Sequence, residues 1–226
     1  MKTRIRTKFI GIISALIFTS NLGLSQSNEI KIKFISNCGL LITDGTTNIY
    51  SDFPYRSGAF IYDKFDSSEL DSIKENSIFI FTHKHGDHYS KKNMRSILKN
   101  KGGKKYGKWN IVELENLSNT IPDFKIKSFK NKHKFSFAHY SYLITWHGKK
   151  IYLSGDTEST STIQQIKSMD WAFIPGWLLK SIFRNNIEID TKMIDLYHIG
   201  RKDSIELNDP KILILDKHGT IMTMTY

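Results

Sequence analysis

Three histidines and one aspartate lie within six residues, in the run Thr82-His83-Lys84-His85-Gly86-Asp87-His88. An H-x-H-x-D-H pattern needs each residue type in a fixed place, so its chance occurrence is low. Imidazole nitrogens and a carboxylate oxygen are donors that zinc accepts, and a set that leaves a coordination position open is catalytic. The run follows the short apolar segment 77–81 (SIFIF), so a strand should end where the donors begin. Two later segments repeat that layout. Ile151-Tyr152-Leu153-Ser154-Gly155-Asp156-Thr157 places Asp156 just beyond a strand pattern, and Met193-Ile194-Asp195-Leu196-Tyr197-His198 does the same for His198. Side chains at strand ends on one sheet edge can meet although far apart in sequence. Alone, a Gly-Asp-Thr reads as a turn and a single histidine as a surface or core residue. Beside the H-x-H-x-D-H run both become candidates.

The elements that must position these donors read as one α/β domain over residues 26–226. Residues 29–35 alternate, with Ile30, Ile32 and Phe34 on one face. Segments 38–43 and 48–52 flank Asp44-Gly45, a hairpin turn signal. Asp66, with Glu69 three residues later, predicts a capped helix through Glu75. Met94, Ile97 and Leu98 fall at helical spacing. Strand patterns cover 124–129, 135–146, 150–154, 170–175, 193–197, 211–215 and 220–225, and Ile163 and Ile166 sit in a helical stretch. Early hairpins followed by strand–helix alternation imply two sheets with helices packed outside.

On these residues the chain resembles the metallo-β-lactamase-fold hydrolase superfamily. The likeness rests on His83, His85, Asp87, His88, a histidine before the Gly-Asp-Thr segment, Asp156 and His198. It extends to the opening FISNCGLLITDGTTNIYSDFPY, which ends near Asp52, and to MDWAFIP. The resemblance implies an αββα four-layer sandwich with a pair of divalent metal ions at one edge, zinc first and manganese or iron as alternatives. It implies that His83 and His85 bind one ion with the third-motif histidine, that Asp87, His88 and His198 bind the other, and that Asp156 bridges them. His133, in the apparent loop KNKHK, is preferred for the third motif over His139, which lies inside the strand pattern FSFAHYSYLITW. The implied reaction is hydrolysis of an ester, lactone or phosphodiester by a metal-bridged hydroxide, with Asp87 orienting the nucleophile and passing on its proton. The best-known lactamase subclass has a cysteine where Asp156 stands, so little β-lactamase activity is expected. Cys38 does not fill that role and reads as a small buried residue. A phosphodiesterase-like nuclease and a non-catalytic metal-binding protein are the alternatives.

Composition narrows the rest. Hydrophobic residues are 39% and charged residues 24% of 226, ordinary for a globular chain. One cysteine excludes an internal disulfide framework and an all-cysteine metal site. Lys2, Arg4, Arg6 and Lys8 precede an apolar run, 9–18, that is too short to span a bilayer, and Gly23-Leu24-Ser25 gives a small-x-small site. Residues 1–25 are therefore expected to be a signal peptide, with the mature chain periplasmic or secreted and without a stable membrane span. Formal charge is +11, and residues 91–108 hold eight lysines and arginines and no acid. A basic rim would attract a small anionic substrate. Only six of the 33 basic residues are arginine, which favours a lysine-rich solvated surface instead, and nucleic acid is not the expected partner. Tyr89 and Tyr197 adjoin donors and could serve a developing oxyanion. Trp177, Leu178, Leu179, Ile182 and Phe183 could wall a pocket or form a buried helix.

Overall fold

The computed structural model describes residues 28–226 except 63, 135 and 201–206. The expected signal peptide lies outside the described residues, none of whose helices is long and apolar enough to cross a membrane.

Two six-stranded sheets make up the middle of the molecule. The first has the order β12-β1-β2-β3-β4-β5, built from β1 (Glu29–Phe34), β2 (Leu40–Thr43), β3 (Asn48–Ser51), β4 (Ile78–Ile80), β5 (Lys104–Tyr106) and β12 (Ile221–Thr225). The second has the order β11-β10-β9-β8-β7-β6, from β6 (Phe124–His133), β7 (Ser136–Trp146), β8 (Lys149–Leu153), β9 (Met169–Pro175), β10 (Thr191–Tyr197) and β11 (Ile212–Ile214). Hairpin-connected strands pair antiparallel, while β3-β4-β5 and β8-β9-β10-β11 pair parallel. Parallel neighbours need crossovers, and helices lie in those between β3 and β4, β4 and β5, β8 and β9, and β9 and β10.

Burial shows four layers. Ile30, Ile32, Leu40, Ile42 and Ile49 of the first sheet meet Tyr142, Ile144, Trp146, Ile151 and Phe173 of the second in one inter-sheet core. The outer face of the first sheet, with Tyr50 and Phe79, is covered by Ile73 and by Met94 and Ile97 of α2 (Lys91–Lys101). α3 (Ile111–Glu115) lies between β5 and β6 and sends Leu114 into the inter-sheet core. The outer face of the second sheet, with Tyr152, Ala172 and Ile174, is covered by Ile163 of α4 (Ser161–Gln165) and by Leu178, Leu179 and Ile182 of α5 (Gly176–Arg184). This is an αββα sandwich, in which the central strands of each sheet feed a core on both faces.

Two sequence expectations change. The helix expected through Glu75 is one turn, α1 (Ser68–Asp71), whose N-cap is Ser67 and not Asp66, although the Asp66 carboxylate does accept from the Ser68 N–H at 2.9 Å. The KNKHK segment is not a loop but the end of β6. Its polar side chains hid a strand that has only one face to pack.

Candidate metal centre

The first hairpin and the H-x-H-x-D-H turn are built around Asp52. Its Oδ1 accepts from the Thr82 N–H and its Oδ2 from the Thr82 hydroxyl, both at 2.8 Å, and Oδ2 lies 3.0 Å from His88 Nδ1. A carboxylate on the far nitrogen fixes the ring and leaves Nε2 to face the site. The turn closes where the His88 and Tyr89 N–H groups both reach the His85 carbonyl, and Ser90 then caps α2 by accepting from the Asn93 N–H. Asn37, in the β1–β2 turn, clamps the centre from below. Its side-chain NH₂ donates to the Asp87 backbone carbonyl at 2.9 Å, and its own backbone carbonyl accepts from the His198 N–H at 2.7 Å. His198 itself stands at φ 58°, a left-handed conformation rare for a side chain of its size, and this bond holds it there.

Asp156 is the hub. Its Oδ2 lies 3.0 Å from His88 Nε2, 3.4 Å from His198 Nε2, 3.6 Å from His83 Nε2 and 3.8 Å from His133 Nε2. His133 Nε2 is in turn 3.4 Å from His85 Nδ1, and His198 Nε2 is 3.1 Å from Asp87 Oδ2. Donor atoms of His83, His85, His133 and Asp156 all lie within 4.8 Å of one another, as do those of Asp87, His88, Asp156 and His198. The two groups share Asp156. All seven residues singled out in the sequence thus converge.

His133 and His139 take different places. The β6–β7 register shifts between Asn131 and His133, and hydrogen bonds pin that irregularity. Asn131 donates to the Ser141 hydroxyl and accepts from Thr162, while the Lys132 carbonyl accepts from Thr157. The shift carries His133 toward Asp156. His139 is fully buried, and its Nε2 accepts from the Asp156 backbone N–H at 2.9 Å. Gly155 makes that approach possible. Its φ is +58°, and a β-carbon there would come within 2.5 Å of His139 Nε2 and 2.8 Å of the Thr82 β-carbon.

Burial and charge set the protonation pattern. Burial pushes His83 well below its ordinary value, lowers His133, and takes His139 to about 3. These imidazoles are neutral, the metal-binding form. Burial would also lower His88 and His198, but it is outweighed at His88 by Asp156 together with Cys38 and Asp52, which hold it well above the usual range, and at His198 by Asp156 together with Asp87, which hold it at about 8. Burial opposes ionisation of Asp156, yet His198 and His88 keep it well below the usual carboxylate range. Asp87 is lowered against burial by His198 and His88. Several buried atoms make no hydrogen bond, among them His83 Nε2, Asp87 Oδ1 and Asp156 Oδ1. Orphaned buried donor atoms beside ionised carboxylates are costly unless a cation satisfies them. The residues therefore fit divalent metal.

The surroundings add groups that sequence reasoning missed. Tyr62, in the irregular segment between β3 and α1, places its ring edge-on to His198 at 4.3 Å. Burial pushes its phenol up to about 12, with Asp156 and Asp87 adding to the shift. No periodicity or motif marks that segment. Cys38 is buried with Sγ 3.3 Å from His88 Nδ1, and burial pushes its thiol far above the ordinary range. Of the residues after Pro175, Leu178, Leu179 and Ile182 are buried in the helix–sheet core, and Trp177 stands 5.1 Å from the His198 ring. The Tyr89 hydroxyl turns to Lys105 Nζ at 3.2 Å, and Tyr197 is buried against Phe173. Within the basic stretch, Lys101 donates to the carbonyls of Leu70, Asp71 and Ile73 at the end of α1, so it has a structural task.

No protein-family model and no curated protein matches the chain. Solved structures do. Igni18, a novel metallo hydrolase from the archaeon Ignicoccus hospitalis, is 15% identical, with 88% of this chain and 99% of that one covered and a TM-score of 0.64. The metallo-β-lactamase fold protein YhfI from Bacillus subtilis is 14% identical over 87% and 99% of the two chains, with a TM-score of 0.56. An isothiocyanate hydrolase from Delia radicum gut bacteria is 13% identical over 87% and 100%, with a TM-score of 0.53. At such low identity the likeness shows the fold, and the fold is that of the metallo-β-lactamases.

Proposed function

We propose that the protein is a metal-dependent hydrolase of an ester, lactone or phosphodiester bond. The observation that carries the reading is Asp156, whose Oδ2 faces four imidazoles and belongs to both four-residue donor groups. His83, His85 and His133 would hold one divalent cation and Asp87, His88 and His198 the other, with Asp156 between them. Zinc suits these donors, and manganese or iron would also be accepted. When bound, such a pair supplies a water of lowered pKa and a Lewis acid for the substrate oxygen. Asp87 keeps Oδ1 without a hydrogen-bond partner while Oδ2 faces His198. It is the group placed to orient an attacking water and take its proton. Asp52 and Asn37 position donors through hydrogen bonds, and His139 supports the backbone at Asp156.

The substrate is a small molecule, and an anionic group on it is favoured by Arg56. That guanidinium lies 3.3 Å from where a β-carbon on Gly86 would stand, beside the H-x-H-x-D-H turn. We also propose export, with residues 1–25 removed near Ser25. N-terminal sequencing from an exporting host that still finds Met1 would count against it.

Metal content with turnover on a mixed panel of ester, lactone and phosphodiester tests the main reading. About two divalent ions per chain and hydrolysis of one class are expected. A folded protein that takes up no metal overturns it. Penicillin and carbapenem turnover should be slow, since the Asp156 carboxylate stands where the best-known lactamase subclass has a thiolate. A kcat/KM for β-lactams of roughly 10⁴ M⁻¹s⁻¹ or more would reverse that expectation.

A further inference from the structure

We propose that the substrate of this centre carries an aryl or similarly flat apolar group beside the bond that is cut, held by Tyr62 and Trp177. This rests on the hydrolase reading and adds a substrate class to it.

The segment between β3 and α1 is pinned at its base. Phe53, Tyr55 and Phe65 are buried and meet edge to face, Phe53–Phe65 at 5.0 Å and Tyr55–Phe65 at 4.9 Å. Backbone bonds tie the same segment to the donor turn, from the Arg56 N–H to the Gly86 carbonyl at 2.6 Å and from the Ser90 N–H to the Pro54 carbonyl at 2.8 Å. On that anchored frame Tyr62 meets His198 at 4.3 Å and 87°. From the other side of the sequence, Trp177 at the start of α5 meets the same imidazole at 5.1 Å and 70°.

Helix packing does not account for Trp177. Leu178, Leu179 and Ile182 fill the contact between α5 and its sheet, while Trp177 remains 36% exposed. An exposed indole beside a polar, donor-rich site is surface that a ligand can cover. Two rings meeting at one donor would offer an apolar group next to the reacting atoms edge and face contacts of the kind aromatic pairs prefer.

Binding can be read without turnover. Cobalt(II)-substituted full-chain protein is titrated with acetate, phenylacetate and naphthylacetate, following the cobalt absorption bands, and metal content is measured on each sample. Wild type should bind naphthylacetate about tenfold or more tighter than acetate, a difference of about 1.4 kcal/mol. In Trp177→Ala and Tyr62→Ala that ratio should fall to about twofold with the acetate affinity unchanged. Tyr62→Phe should keep the ratio, because the ring and not the hydroxyl makes the contact. Phe183→Ala should also keep it, since Phe183 is exposed on the same helix. Trp177→Gln replaces Trp177→Ala if the latter does not fold. A metal-loaded wild type with no preference among the acids, or variants that retain the preference, overturns the proposal alone. A folded protein that binds no cobalt overturns the hydrolase reading and this proposal with it.

Discussion

Asp156 and Asp195 are both buried aspartates in the second sheet's half of the molecule, one just after β8 and the other in β10, yet their surroundings are opposite. Asp156 stands at the sandwich edge among His83, His88, His133 and His198 and stays ionised. Asp195 points into the packed interior, where neither oxygen makes a hydrogen bond. Burial pushes its carboxyl up to about 7, opposed only in part by the nearby Trp171 indole. The same chemical group is a firm anion in one place and in the other keeps its proton up to about pH 7. A low-dielectric interior suppresses charge, and only an arrangement of opposite charge restores it. That contrast marks the edge as a place made for cations and the interior as a place made for packing.

The strongest way to break the contrast is Asp156→Asn. It keeps the shape and removes the charge that both donor groups share, so metal content should fall from about two ions per chain to well under one. Elemental analysis that still finds two ions would show that the charge is not what the centre needs.

His133→Ala and His139→Ala come next. The first should lose about one ion per chain and the activity with it. The second should keep its metal and lose stability, by about 1–3 kcal/mol, because the Asp156 N–H would be left buried without an acceptor. Equal metal loss in the two variants would erase the distinction between them.

Asp195 sharpens the contrast from the other side. Its folded-state value lies above the unfolded 3.8, so the folded protein retains a proton that the unfolded chain releases between these values. Its contribution to stability is complete below the unfolded value. It is lost as pH rises to about 7, by at most something on the order of 4 kcal/mol. Thermal unfolding of wild type against Asp195→Asn should show the difference growing over that window and levelling above it, with metal content equal. A pH-independent difference would mean that Asp195 is not proton-linked.

The smallest effect is expected from Asp52→Asn. This carboxylate also sits at the edge, but it touches only the far nitrogen of His88 and the Thr82 groups. Metal affinity should weaken by roughly 10–100-fold without loss of the fold. Competition with a chelator measures it, and unchanged affinity would remove Asp52 from the support of the centre.

Much of this was legible in the chain. Strand and helix periodicities placed β1, β2, β7–β10 and α2 within a few residues, because alternation and helical spacing are local consequences of facing a core. The donors were legible for the same reason. His83, His85, Asp87 and His88 share one turn, and Asp156 and His198 each follow a strand whose apolar run announces its end. The extension of β6 through KNKHK was not, since a strand covered on one side only carries too few apolar residues to register.

What the residue order by itself determined was the inventory of donors and their attachment to strand ends. Tertiary structure decided which groups face one another. It brought His133 to Asp156 through a register shift pinned by Asn131 and Thr162, and set His139 beneath Gly155. It brought Tyr62 and Trp177 to one imidazole, and it left Asp195 in the buried interior while ringing Asp156 with imidazoles. The division has a physical reason. Periodicity and turn chemistry act over a few residues, whereas the charge state and partners of a buried group depend on whatever the sheets bring within a few ångströms of it.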